Sequence, residues 1–287
     1  MTLSQKMAAG ERPTRAELEE LASAPDILAI GMLADEARRR THGTRVTFAR
    51  VACCAFDKPI AEAVPPAARE VRLTGAPPSI DVALTAVQSA KSVAGDRLLS
   101  GFSLADLEPL AGGSRPAPML RRLRDAGLEA VAEVPVDRLA SPEAWLEALA
   151  AAGYDRVRLT VAKPAAGERV PAVLRAGELA EHFPIVRAIN PLPMSLAAFR
   201  PTTGYEDVKV VALARLAAPA GAIVQVDWQR YGPKLAQVAL TFGASDLDNV
   251  SASDDAPDGR RRAPLEDVRR NIEAAGFTAH ERDGRWR

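Results

Sequence analysis

A regular alternation constrains this chain most. Short runs rich in β-branched residues are each followed by a longer stretch in which apolar residues recur every three or four positions. A strand that is followed by a helix returns to the sheet in the same direction, so the alternation implies parallel strands. Eight runs read as strands: Arg45 to Ala52, Glu70 to Thr74, Arg97 to Phe102, Glu129 to Val134, Arg156 to Val161, Ile185 to Asn190, Ile223 to Trp228 and Asp248 to Ser251. Eight such units predict an α/β fold of the (β/α)8 TIM-barrel type. The 287 residues, 47% of them hydrophobic, suffice for one such domain. The expected layout is a single domain over 1–287, with N-terminal helices in 1–44, a barrel in 45–275 and a C-terminal tail in 276–287.

The helices are marked by their ends. Thr14 and Glu17 have capping-box spacing, and Pro25-Asp26 restarts the chain into a second helix ending near His42-Gly43, so two helices are expected before the barrel. Ser141, Pro142 and Gly153 mark the start and stop of a helix over Ser141 to Ala152. Amphipathic periodicity predicts further helices at Ile80 to Val93, Pro116 to Ala126, Val170 to Glu181, Tyr205 to Ala217, Tyr231 to Phe242 and Pro264 to Ala275. Pro59, Pro65 and Pro66 break the segment after the first strand, so that unit's helix must be short or absent.

Thirty-seven basic residues balance thirty-seven acidic ones, so the basic footprint of a nucleic-acid or anionic-membrane binder is missing. Met1 to Asp26 is charged and lacks an apolar h-region, and no uncharged apolar run reaches about 18 residues. The expected location is cytoplasmic, with neither nucleic acid nor membrane as partner.

Barrel enzymes work at the C-terminal ends of their strands. That rule assigns Cys53, Cys54, Gly75, Ser103, Glu133, Lys163, Asn190, Trp228, Gln229, Arg230, Ser251, Asp254 and Asp255 to the working face, and His42 and His182 to the opposite one. Adjacent cysteines serve more often as small buried hydrophobes than as ligands. A cluster or zinc site needs more ligands than two neighbouring thiols, and no third cysteine exists. Phosphate-loop, dinucleotide and nucleophile-elbow motifs are absent. Arg260-Arg261-Arg262 could grip a phosphate or be a solvated loop, and Trp228 could line a pocket or close the barrel.

Two long motifs carry a resemblance. Arg200-Pro201-Thr202-Thr203-Gly204-Tyr205-Glu206-Asp207 is one; the other runs from Tyr231-Gly232-Pro233-Lys234 through Phe242-Gly243-Ala244-Ser245-Asp246-Leu247-Asp248. Both resemble segments of the radical S-adenosylmethionine family of the futalosine route to menaquinone: aminofutalosine synthase, dehypoxanthine futalosine cyclase and the related deazaflavin FO synthase. Ser100-Gly101-Phe102-Ser103-Leu104 is similar to that family's third unit. The resemblance implies a [4Fe-4S] cluster held by a C-x-x-x-C-x-x-C loop after the first strand, and cleavage of S-adenosylmethionine to a radical. In this chain the loop is deleted: Cys54 matches the last motif cysteine, the two earlier ligands have no counterpart, and paired glycines at the cosubstrate become Gly75-Ala76. The expectation is a degenerate relative, a pseudoenzyme without metal that uses Glu133, Lys163, Asn190, Trp228, Gln229, Arg230 and Asp254 to bind a small molecule, or that forms a hetero-oligomer with a true family member. The alternatives are an enzyme of menaquinone or related cofactor biosynthesis, cluster-independent or completed by another chain, and a plain scaffold.

Overall fold

The computed structural model describes residues 3–60, 64–112, 116–162, 164, 167–194, 204–256 and 262–286. Three helices lead in where two were expected: α1 (Leu3–Ala8), α2 (Arg15–Ser23) and α3 (Ile27–His42). The additional one is six residues long and lacks a first-turn acid, so nothing in the sequence announces it. In α2 both halves of the Thr14–Glu17 capping box form, and α3 starts where the Asp26 side chain accepts from the Ala29 amide. Gly31 lets α3 lie close on Phe242, since a Cβ there would stand 2.7 Å from the ring.

The barrel follows: β1 (Arg45–Ala55), β2 (Glu70–Thr74), α4 (Ile80–Ala94), β3 (Leu98–Ser103), the short α5 (Leu104–Leu107) with a 3-10 turn, and α6 (Ala117–Asp125). It continues with β4 (Ala130–Pro135), α7 (Pro142–Ala151), β5 (Val157–Val161), α8 (Arg169–His182), β6 (Val186–Pro191) and α9 (Tyr205–Ala217). The last units are β7 (Ile223–Asp227), α10 (Trp228–Thr241), β8 (Asp246–Ser251), α11 (Pro264–Ala274) and β9 (Thr278–Glu281). Strands β1 to β8 pair in sequence order, all parallel, and β8–β1 and β1–β2 pairing closes the cylinder. This is a (β/α)8 barrel. The described part of the first unit, between β1 and β2, holds no helix, as its prolines require.

Several boundaries differ from the sequence reading. Strand β1 runs three residues further, so Cys53 and Cys54 lie within it, paired with Arg72 and Leu73 of β2. Strand β7 stops at Asp227, whose carboxylate accepts the Arg230 amide and starts α10 at Trp228. Gly232, at φ 71 and ψ 158, breaks that helix ahead of Pro233. The expected tail over 276–287 is not one. Pairing of β1 with β2 begins only at Val51, which leaves the first half of β1 with a free edge; β9 fills it, setting Thr278 to Glu281 against Arg45 to Phe48. His280 thereby sits in a strand beside Thr47.

Side chains of successive strand residues point to opposite faces, and this separates two cores. Val157, Leu159 and Val161 of β5, with Leu73, Leu99, Val224, Val226 and Leu247, belong to the apolar layer shared with the helices. The alternate positions are polar. Glu70, Arg72, Ser100, Arg158, Thr160, Asn190, Gln225, Asp227, Asp246 and Asp248 are all buried, and their mutual bonds place them together in the barrel lumen. Bulky aliphatic side chains normally fill a barrel of this kind. Here the interior is a charged network.

Candidate functional site

The site has a floor and a mouth. On the floor, Arg72 donates to Glu70 Oε1 at 2.7 Å and to both Asp248 oxygens at 2.9 and 3.0 Å, while Arg158 Nη1 donates to Asp248 Oδ2 at 2.6 Å. Below it Arg282, delivered by β9, donates to Asp246 Oδ1 at 2.5 Å and Oδ2 at 2.8 Å. Burial would push the Asp248 carboxyl up, but the guanidinium groups of Arg158 and Arg72 outweigh it and hold the group well below the usual carboxylate range. The pairs share charge in a dry interior, where an uncompensated ion would cost several kcal/mol. Four lumen atoms nonetheless have no partner among the described residues: Glu70 Oε2, Arg158 Nε, Thr160 Oγ1 and Asn190 Oδ1. Ser103 Oγ, one strand position from the rim, is a fifth. Donors and acceptors left unpaired around one lumen are what a polar ligand, or water in its place, would satisfy.

At the mouth the bonds form a chain. The Cys53 thiol lies 3.2 Å from Asn249 Oδ1, and Asn249 Nδ2 reaches both Asp227 oxygens at 3.2 Å from a left-handed backbone at φ 58. Asp227 accepts the Arg230 amide at 2.9 Å, and Arg230 Nη2 crosses to Glu133 Oε1 at 2.7 Å. Strands β7 and β4 are nearly opposite in the ring, so the Arg230–Glu133 pair bridges the opening. Burial, and next the charge of Asp248, raise the Asp227 carboxyl above its ordinary value. Burial also pushes the exposed-edge Cys53 thiol up to about 11 despite the facing Arg72.

Of the seven residues expected to bind, the structure joins Glu133 to Arg230 and sets Asn190 deeper, donating to Gln225 Oε1 at 3.4 Å. Trp228 lies in the apolar core, Gln229 is exposed, and Asp254 pairs with Arg50 at 3.1 Å, away from the bridge. Lys163 lies outside the described residues, as do Arg260 and Arg261. The sequence reading missed Arg72, Arg158, Asp227, Asp248 and Asn249. Their signal was present: Glu70-Val71-Arg72-Leu73 and Arg158-Leu159-Thr160 alternate polar and apolar residues in strands that a parallel barrel should make apolar throughout.

The cluster that the resemblance implies does not fit these residues. Cys54, matched to the last ligand, faces the apolar layer at 3% exposure, and its thiol bonds the Ala52 carbonyl at 3.8 Å. Burial raises its thiol above the ordinary value, disfavouring the thiolate that iron requires. Cys53 points to the other face, so the two sulfurs cannot share one cluster. Among the described residues no group of three His, Cys, Asp or Glu is placed to hold a metal ion. No helix among them is long and apolar enough to cross a membrane.

No protein-family profile matches the chain. It is 37% identical over 89 residues to the 5-amino-6-(D-ribitylamino)uracil–L-tyrosine 4-hydroxyphenyl transferase of Archaeoglobus fulgidus, covering 29% of this chain and 26% of that protein. It is 36% identical over 93 residues to transferase 2 of the same name from Methanosarcina barkeri, covering 30% and 24%. The matches thus span about a quarter of each relative. Among solved structures the chain is similar to methylornithine synthase (PylB), at TM-score 0.68 and 14% identity over 97% of both chains. It is equally similar to the FeFe-hydrogenase maturase HydG from Carboxydothermus hydrogenoformans, at TM-score 0.68 and 14% identity over 96% of this chain and 78% of that one. At 14% identity the likeness to both is one of fold.

Proposed function

We propose that the chain is a cluster-free relative of the radical S-adenosylmethionine barrels that binds a small polar molecule in its lumen, beneath the Arg230–Glu133 bridge. The observation that carries this reading is the set of buried, unpartnered atoms around the lumen, Glu70 Oε2, Arg158 Nε, Thr160 Oγ1 and Asn190 Oδ1. A fold that merely packed would leave few such atoms, since each costs about 1–3 kcal/mol. Alternating donors and acceptors suit a hydroxyl-rich or zwitterionic ligand. The partial likeness to the tyrosine-ribitylaminouracil transferases and the resemblance to futalosine-route enzymes suggest L-tyrosine, the ribitylaminouracil or aminofutalosine as the class.

The burial of Cys54 supports a noncatalytic role, as carrier of that molecule or as partner of a complete family enzyme. One observation favours a second reading, iron-free acid-base chemistry: the raised Asp227 carboxyl, linked through Asn249 to the Cys53 thiol, could hold a proton at the mouth. Calorimetric titration with the three probes tests the binding claim. A bound probe should lose roughly tenfold or more in affinity on Asn190→Ala, with a smaller loss on Arg230→Ala. If none of the three binds at millimolar concentration, the lumen reading fails.

A further inference from the structure

We infer that the N-terminal end of the barrel carries a second, separate site, which takes a small oxyanion of the sulfate, phosphate or carboxylate class. A pocket of about 310 Å³ opens there, lined by His42, Arg45, Thr47, Ser245, Arg282 and Trp286 among others. That volume is at the lower end of ligand pockets, which span roughly 300–1,000 Å³. This end of a barrel ordinarily serves stability alone.

Three observations identify the occupant. The first is a pair of buried atoms without partners among the described residues, His42 Nε2 and Trp286 Nε1, on two residues that both line the cavity. The indole N–H can only donate, so its missing partner is an acceptor. The second is charge. Among the described residues Arg45 lines the pocket with no acidic partner, and Arg215, buried behind Ser245, donates to the Gly243 and Ala222 carbonyls and to Ser245 Oγ but to no carboxylate. Burial, and next the charge of Arg38, depress Arg215 to about 9, the sign of a cation without a counter-ion. The third is that Trp286 is held in place at a left-handed φ of 60, its ring 5.8 Å from the Arg282 guanidinium. Such a backbone is uncommon outside glycine and persists when the surroundings over-determine it.

His42 supplies the proton logic. The charged groups acting on it are Arg215 on α9, Arg38 on its own helix and Asp246 on β8, and the Ala222 backbone favours its charged form. Burial and the Arg215 charge hold the imidazole down to about 4, so it is neutral at physiological pH. Asp246 offsets this field only in part: its charge raises the imidazole, but Arg282 and Gln225 already engage both its oxygens. An oxyanion placed between Arg45 and Trp286 reverses the field at Nε2. One proton is then taken up from water and held between Nε2 and the anion, with no bond made or broken elsewhere.

Sulfate is the probe, since it does not titrate near neutrality. Its affinity for the full chain should fall up to about tenfold per pH unit from pH 5 upward, levelling where the bound imidazole loses its proton. Trp286→Phe should weaken binding roughly five- to tenfold, and His42→Gln should leave weaker, pH-independent binding. Nitrogen NMR of the wild-type imidazole reads the same event without a variant: at pH 6, added sulfate should move His42 toward the protonated form. Absence of saturable binding up to 100 mM sulfate, a flat profile between pH 5 and 7, or an unmoved His42 resonance would each overturn the inference.

Discussion

Replacing Asp248 by Asn keeps the side chain's shape and removes its charge from the centre of the barrel. Asp248 is fully buried and receives Arg72 through both terminal nitrogens and Arg158 at 2.6 Å. Glu70 then remains the one carboxylate bonded to Arg72, and Arg158 keeps no ion pair among the described residues. Breaking a buried pair from one side costs about 3–5 kcal/mol. At roughly 2 °C per kcal/mol for a chain of this size, the midpoint should fall by about 6–10 °C. The effect has a pH signature. Because the folded-state value of Asp248 is depressed, its stabilisation is present above the ordinary carboxylate value of about 3.9 and is lost as pH falls through that value and below. Urea unfolding of both proteins between pH 8 and pH 3 is the assay. The gap between them should hold steady down to about pH 5 and then close. A difference below about 1 kcal/mol at pH 7, or a gap that widens in acid, would refute the claim that these charges are mutually compensating in a dry lumen.

Thiol labelling should modify one cysteine per native chain and two after denaturation, because Cys53 is exposed and Cys54 is buried. The Cys53 rate should be slow at pH 8 and climb toward pH 10, since its thiol titrates near 11. Asp227→Asn should gain on the wild type as pH rises from about 4: the raised carboxyl of Asp227 makes its ionisation costly to the fold, and Asn keeps a capping oxygen for α10. Comparative urea melts at pH 4 and pH 7 check the sign. Glu133→Gln should shift stability by less than about 1 kcal/mol, because its pair with Arg230 is part-exposed, while loosening any ligand held beneath the bridge.

The barrel was legible because its outward strand positions and helix faces follow simple periods, as Val157-Arg158-Leu159-Thr160-Val161 shows. Strand β9 was not, since Thr278 to Glu281 is short, half exposed and meaningful only beside the vacant edge of β1. The site was half legible. Glu133 and Asn190 stand near strand ends and Arg230 in the first turn of the helix after β7, where a positional rule looks. Arg72, Arg158 and Asp248 lie mid-strand, and their roles depend on side chains meeting across the lumen from strands 90 and 176 residues apart in sequence. Asn249 carries a left-handed backbone that no local pattern declares. Trp228, a strand-end candidate, became the first residue of a helix and part of the core because Asp227 caps it.

The central claim is that this barrel, alike in fold to methylornithine synthase and HydG, lacks the means to hold a cluster. Anaerobic reconstitution of the full chain with iron and sulfide, followed by desalting, an iron count and a visible spectrum, tests it most directly. With Cys54 sealed in the apolar layer and Cys53 facing the other way, the account predicts no stoichiometric iron and no cluster absorbance. Four irons per chain, with the matching absorbance lost on Cys54→Ala, would contradict it.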